Sequence, residues 1–259
     1  MTDGSGEAAV ARDALVAWLD EYLDLGAWRD KSLNGLQVEG SGSVSTVATA
    51  VDAAMATFAM AEEAGAELLL VHHGIFWGSV EPIVGIRRER IAALLDAGLS
   101  LYAAHLPLDA HPEVGNNAIL GELLELRERQ PFGEWDGEAI GVRGRLSEAV
   151  DREGLAGRLE ALLGARPDVL PFGPERIERV GVVSGDAAGL VDEAAAVGLD
   201  AFVTGESSHV AWHAARERSM NLYFAGHYAT ETLGVRALGE RLSEVFGVEV
   251  VFLDAPTGY

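Results

Sequence analysis

At 259 residues the chain is long enough to bury one large core or two of ordinary size without disulfide staples. It carries 41 acidic residues against 19 basic ones, a formal charge of −22, which excludes a basic nucleic-acid footprint over the whole surface and makes nucleic acid an unexpected partner. Cysteine is absent, so a thiolate nucleophile, a zinc–thiolate cluster and a disulfide framework are all excluded.

In chain order, apolar residues at Val10, Ala14, Leu15, Trp18, Leu19 and Tyr22 mark one face of a helix, which Gly26 ends. Asn34-Gly35 signals a turn. Val44 to Val51 alternates like a strand, Ala53 to Ala64 is helix-prone, and the apolar run Glu67 to Val71 suits a buried parallel strand. A helix from Arg87 to Ala97, a strand from Ser100 to Ala104 and a helix from Asn116 to Leu126 follow. Between Gln130 and Pro174 prolines and glycines punctuate the chain, with a strand expected at Ala139 to Leu146 and a helix at Ala149 to Leu163. The βα rhythm returns at Ile177 and runs to Leu253. Short strands alternating with longer helices predict an α/β fold with a mainly parallel sheet. With a junction near Arg127 to Gly133 and a return of the chain end, the expected organisation is two α/β domains. The first is discontinuous, residues 1–128 with 229–259, and the second spans residues 129–228.

Sliding the chain by 133 residues lays VSTVATAVDAAMATFAMAEEAGAELLLVHH on IERVGVVSGDAAGLVDEAAAVGLDAFVTGE without a gap. Val47 meets Val180, Gly65 meets Gly198 and Glu67 meets Asp200. An offset of 122 places His105 to Asp109 on His227 to Glu231, both histidine–acid pairs following an apolar strand. A βαβ duplication is the expectation.

Parallel sheets put ligand sites beyond the carboxyl ends of their strands. Of seven histidines, His72, His73, His105, His209 and His227 fall at such positions. A single histidine after a strand is most often an ordinary polar residue; five of seven in one class of position point to metal. Adjacent His72 and His73 on extended chain are expected to face opposite sides and to serve two neighbouring ions. Asp109 and Glu231 each lie four residues beyond a strand-end histidine, and either is a candidate bridging carboxylate. If a helix begins at His227, its ring and Glu231 share one face. Imidazole and carboxylate without sulfur suit Zn, Mn, Fe, Co or Ni rather than Ca. Gly74 and Gly226 would allow close backbone approach to a ligand, and Phe76 and Trp77 either wall a pocket or simply pack. Gly4 to Ala8 and Gly40 to Ser43 are glycine-rich but lack the ending of a Walker-type phosphate loop. Arg87, Arg88 and Arg90 form a basic cluster that reads first as a solvated helix face.

The segments DKSLNGLQVEG (Asp30 to Gly40), LVHHGIFWG (Leu70 to Gly78), AAHLPLDAHPEVGNN (Ala103 to Asn117), VTGESSH (Val203 to His209) and AGHYATETLGV (Ala225 to Val235) resemble, in order, those of the Nif-three-like dinuclear metal-centre family. Its members are also called GTP cyclohydrolase I type 2 homologues. The resemblance implies that His72, His73, Asp109, His227 and Glu231 are metal ligands for two divalent ions, with His105 beside them. It places Glu206 and His209 in the same cleft, where they are the candidate catalytic residues for moving a proton. It further implies a toroidal homohexamer with its metal sites facing an internal cavity. The long mid-chain domain of some members is absent here. Lys31 matches no functional position and is expected at the surface.

The activity expected from such a centre is metal-dependent hydrolysis through a bridging water, on a small-molecule substrate such as a nucleotide. It would be either guanine ring opening with formate release or phosphoester hydrolysis. A metal (iron) storage or delivery protein and a hexameric interaction scaffold with structural metals are the alternatives. Lys31 is the single lysine, and acidity with scarce lysine predicts a halophilic, salt-adapted source, although GC-rich codons also favour arginine. No run approaches the ~18 apolar residues of a membrane span, and the acidic start lacks a basic-then-apolar leader, so no membrane partner and a cytoplasmic location are expected.

Overall fold

A computed structural model describes residues 9–259; the glycine-rich Gly4 to Ala8 stretch lies outside them. The chain divides into two compact units. One comprises the described residues up to Leu108 with Val235–Ala255, and the other comprises Asp109–Gly234 with Pro256–Tyr259.

The chain enters the first unit through β1 (Val10–Ala11), α1 (Arg12–Tyr22), β2 (Gly35–Val38), β3 (Ser43–Val44) and β4 (Thr46–Asp52). It continues through α2 (Met55–Glu63), β5 (Leu68–His73), α3 (Gly85–Asp96), β6 (Ser100–Ala103) and the single turn α4 (Leu106–Asp109). The second unit holds α5 (Asn116–Leu123), β7 (Arg127–Trp135), β8 (Glu138–Asp151), α6 (Arg152–Leu163), β9 (Asp168–Pro171) and β10 (Arg176–Val182). There follow α7 (Val191–Ala196), β11 (Ala201–Thr204), α8 (His209–Arg218), β12 (Asn221–Phe224) and α9 (His227–Phe246), which belongs to the first unit from Val235 onward, as does β13 (Glu249–Phe252).

The first unit's main sheet has the order β13-β4-β5-β6-β2, parallel except for β2. Leu68 to Val71 are fully buried, as an unbroken apolar run must be when both faces of a strand are covered. Leu69 and Val71 pack with Ala48, Ala50, Phe58, Leu94 and Leu101. The second unit's sheet has the order β7-β8-β10-β11-β12-β9, with β10, β11 and β12 parallel and the outer strands antiparallel. Its core gathers Val180, Val182, Ala201, Val203 and Tyr223 against Leu155 and Leu159 of α6. Fold class is therefore α/β, in mixed sheets around parallel βαβαβ cores.

The repeat read from sequence recurs in the hydrogen-bond register. Val47 pairs with Leu68 and Ala48 with Leu69; 133 residues on, Val180 pairs with Ala201 and Gly181 with Phe202. The acid before each second strand does the same work. Glu67 accepts from the Ser45 and Thr46 amides at 3.1 and 2.9 Å, and Asp200 accepts from those of Glu178 and Arg179 at 3.0 and 2.8 Å. At the third strands, the Ala104 amide reaches Val71 O at 2.9 Å and the Ala225 amide reaches Thr204 O at 2.8 Å. The connection to the third strand is 12 residues shorter in the second copy, Ala201 to Asn221 against Leu68 to Ser100, and Gly226 adds one residue before its histidine, so the offset falls from 133 to 122.

Two local readings change. Arg127 to Gly133, expected as a junction, lies in β7, paired antiparallel with β8. Pro131 is tolerated because β7 is the edge strand. The helix expected from Ala149 begins at Arg152, because β8 continues to Asp151, whose carboxylate caps the helix by accepting from the Gly154 amide at 2.7 Å.

Candidate metal centre

In the first unit His72 and His73 end β5, and His105 lies two residues past β6. His72 is fully buried, with Nδ1 at 2.9 Å from the carbonyl oxygen of Ala104. A carbonyl can only accept, so Nδ1 carries the proton and Nε2 the lone pair. His73 repeats the arrangement with Asp52, the last residue of β4, at 2.8 Å from Nδ1 to Oδ1. His105 Nδ1 lies 3.0 Å from each oxygen of Asp30. Orienting a ring through one nitrogen so that the other is presented is how proteins prepare imidazole for metal.

One ring nitrogen from each of His72, His73 and His105 lies within 4.8 Å of the others. The expectation that His72 and His73 face opposite sides is thus corrected: their ring centroids are 4.7 Å apart. Long side chains at a strand end lean along the strand, which offsets the alternation of their Cβ atoms. Trp77 stands edge-on to His105 at 5.0 Å and donates from Nε1 to Gly74 O at 2.9 Å, so it walls the cluster. Phe76 instead packs on the core with the Arg87 guanidinium over it, and Arg87 also pairs with Glu81, leaving that arginine engaged at the helix surface. Lys31 is exposed, as expected.

Sequence reasoning missed the groups that aim these rings. Asp30 accepts from the Ser32 amide, Asn34 Nδ2, His105 and the Leu106 amide. Burial pushes its carboxyl up, but those donors outweigh it and hold the pKa down at about 2. Asn34 Oδ1 accepts from the His105 amide at 2.8 Å. At Gly74 the close neighbour is Gln37 rather than a ligand: a Cβ there would meet its side-chain amide at 2.3 Å. Gln37 in turn accepts from the Ile75 amide at 2.8 Å.

In the second unit Asp109 ends α4, with 6% exposure. Its Oδ1 accepts from Asn116 Nδ2 at 2.8 Å and Ser184 Oγ at 2.9 Å. Asn116 is itself fixed by the Gly234 amide, and Asn117 Oδ1 accepts from the Ser184 amide at 2.7 Å. Helix α9 begins at His227, so the expected sharing of one face holds: Nε2 lies 3.0 Å from Glu231 Oε1. His227 Nδ1 lies 2.6 Å from Glu206 Oε1. Burial lowers the pKa of this imidazole, but the bonds and charges of Glu231 and Glu206 outweigh it and raise it to about 9. In this structure Glu206 therefore orients a ring. Gly185, at φ +64°, backs the pair, and a Cβ there would meet Glu231 Oε1 at 2.4 Å. His209 opens α8 with its ring 5.7 Å from that of His213, and no hydrogen bond or ring contact among the described residues joins it to His227.

These donor sets fit a divalent transition ion. They offer imidazole and carboxylate, with the second atom of each ring held by a hydrogen bond. The ion pair of 3.0 Å between His227 Nε2 and Glu231 Oε1 sets one nitrogen and one carboxylate oxygen side by side, where one cation could take both in place of the shared proton. No helix among the described residues is long and apolar enough to cross a membrane.

A protein of Deinococcus radiodurans named GTP cyclohydrolase 1 type 2 homolog is 48% identical over 254 residues, covering 98% of this chain and 97% of its own. A Halobacterium salinarum protein of the same name is 48% identical over 243 residues, covering 92% and 96%. The crystal structure of a Thermus thermophilus protein superposes with a TM-score of 0.90 at 45% identity, over 96% of this chain and all of the other. Residues 10–258 match the family model described as Duf34/NIF3 (NGG1p interacting factor 3), and the chain belongs to that family.

Proposed function

We propose that the chain is a metal-dependent hydrolase whose two divalent ions are held by His72, His73, Asp109, His227 and Glu231. The observation that carries the reading is the orientation of the donors. The two β5 imidazoles and His227 are each hydrogen-bonded through Nδ1, and Asp109 is gripped by Asn116 and Ser184. When bound, the ions would supply Lewis acidity and lower the pKa of water at the centre. Asp52, Asp30 and Glu206 each accept from a ring Nδ1 and so fix where that ring's Nε2 points, and Trp77 limits solvent around the first-unit cluster. His209 makes no contact that supports a proton-moving role. The relatives' printed name supports a nucleotide substrate, with guanine ring opening and formate release or phosphoester hydrolysis as the reaction.

A panel of nucleotides and phosphoesters offered to metal-loaded protein, in dilute buffer and in molar salt, tests the reading. Release of formate or phosphate that disappears in Glu231→Ala is the expected result. Fully loaded protein without turnover, exchanging its metal with an apo acceptor, would replace hydrolysis by metal delivery. The homohexamer belongs to the same proposal, and light scattering on the eluting protein tests it.

A further inference from the structure

His209 finds its surroundings in a groove of the second unit, about 620 Å³ in volume and within the range of small-ligand sites. The groove opens beyond the carboxyl ends of β11 and β12, the usual ligand position of a parallel sheet. Ser207, Ser208 and His209 follow β11, Phe224 ends β12, and Asp168 pairs with Phe224 across the neighbouring edge strand β9. Trp212 and His213 of α8 complete the wall. The Trp212 ring is held edge-on to Phe172 at 5.3 Å, with the Arg216 guanidinium over it. The side chains of Asp168, His209 and His213 make no hydrogen bond or ion pair among the described residues, the His213 ring lying edge-on to those of His209 and Trp212, so their polar atoms are available to a ligand.

The lining selects among ligand classes. A phosphate would meet a carboxylate here and no lysine or arginine among the lining residues. A metal ion is disfavoured because Asp168, His209 and His213 do not converge closely enough to hold one. An aliphatic ligand would cover Asp168, Ser207, His209 and His213 without giving them a hydrogen-bond partner, Ser208 Oγ being already engaged by the Ala211 amide. What suits aromatic surface beside one carboxylate and two imidazoles is a flat ring with hydrogen-bonding edges. A carboxylate accepts two parallel bonds, which matches adjacent N–H groups on one edge of such a ring.

We propose that this groove binds a planar nitrogen heterocycle with adjacent N–H donors, of the 2-amino-oxopurine or pteridine type, with Asp168 on the donor edge and Trp212 against the ring. As the substrate-recognition part of the proposed hydrolase it rests on that reading, since Glu206 and His227 lie within three residues of Ser208 and Phe224 in sequence.

Guanosine and adenosine, both without phosphate, are the probes, measured against the metal-free full chain by equilibrium dialysis and tryptophan fluorescence. Guanosine is expected to bind about tenfold or more tightly than adenosine, which lacks the paired donors. Asp168→Asn should remove about tenfold or more of the guanosine affinity. Trp212→Leu should weaken both nucleosides. Neither variant should change the metal content measured by mass spectrometry or the melting temperature. Equal binding of the two nucleosides, no binding of either, or guanosine affinity unmoved by Asp168→Asn would overturn the proposal. Loss of metal uptake with guanosine binding intact would overturn the hydrolase reading and leave the groove standing.

Discussion

Gly185→Ala separates metal binding from folding. At φ +64° an alanine pays the left-handed steric cost of about 1–2 kcal/mol. In a protein of this size that lowers Tm by about 2–8 °C. The new Cβ would lie 2.4 Å from Glu231 Oε1, whereas a comfortable carbon–oxygen contact is about 3.3 Å. The carboxylate is the far end of a flexible side chain, so it yields cheaply, by about 1 Å. Metal sites tolerate only about 0.2 Å at each ligand, so affinity for a divalent ion should fall about 10- to 100-fold, the range seen when groups supporting a ligand are disturbed. Calorimetric titration of chelator-treated protein with Mn²⁺ or Zn²⁺ measures it. Gly189→Ala, where a Cβ meets nothing within 4 Å, is the control. A Gly185→Ala protein that melts lower but binds metal as tightly as the parent would refute the reasoning.

Asp52→Asn should weaken metal binding about 10- to 100-fold through His73 while leaving the metal-free Tm nearly unchanged, as titration beside a thermal melt will show. Asp30→Asn should destabilise the metal-free protein by about 2–4 kcal/mol in denaturant melts, because several donors lose one nearly buried acceptor. With a folded pKa near 2, below the ordinary 3.8, Asp30 contributes stability above pH 3.8 that is lost as the pH falls toward 2; a melting series across that window should fall more steeply for the parent than for Asp30→Asn. Glu67→Gln and Asp200→Asn, at equivalent places in the repeat, should each cost about 1–3 kcal/mol and add in the double variant.

The strand–helix alternation was legible because buried parallel strands need unbroken apolar runs, as in Leu68 to Val71, and because Ala-rich segments leave helix as the default. The repeat was legible because its alignment carries a paired acid, Glu67 with Asp200, whose task is the same in both sheets. Histidines at strand ends announced the site chemistry by position. The groups that aim them did not: Asp30 lies 75 residues from His105 and Asp52 lies 21 from His73, and an acid in a loop or at a strand end looks like any other acid. Strand β7 was hidden for a related reason. It is an exposed edge strand whose residues are largely polar, so it shows none of the apolar signal that betrayed the interior strands.

The most direct measurement is metal stoichiometry by native mass spectrometry on protein exposed to excess divalent ion and then desalted. Two ions on each chain, reduced in Glu231→Ala and in His73→Ala with the fold retained, is the result the account requires. A parent protein that emerges bare, or variants that keep both ions, would contradict it.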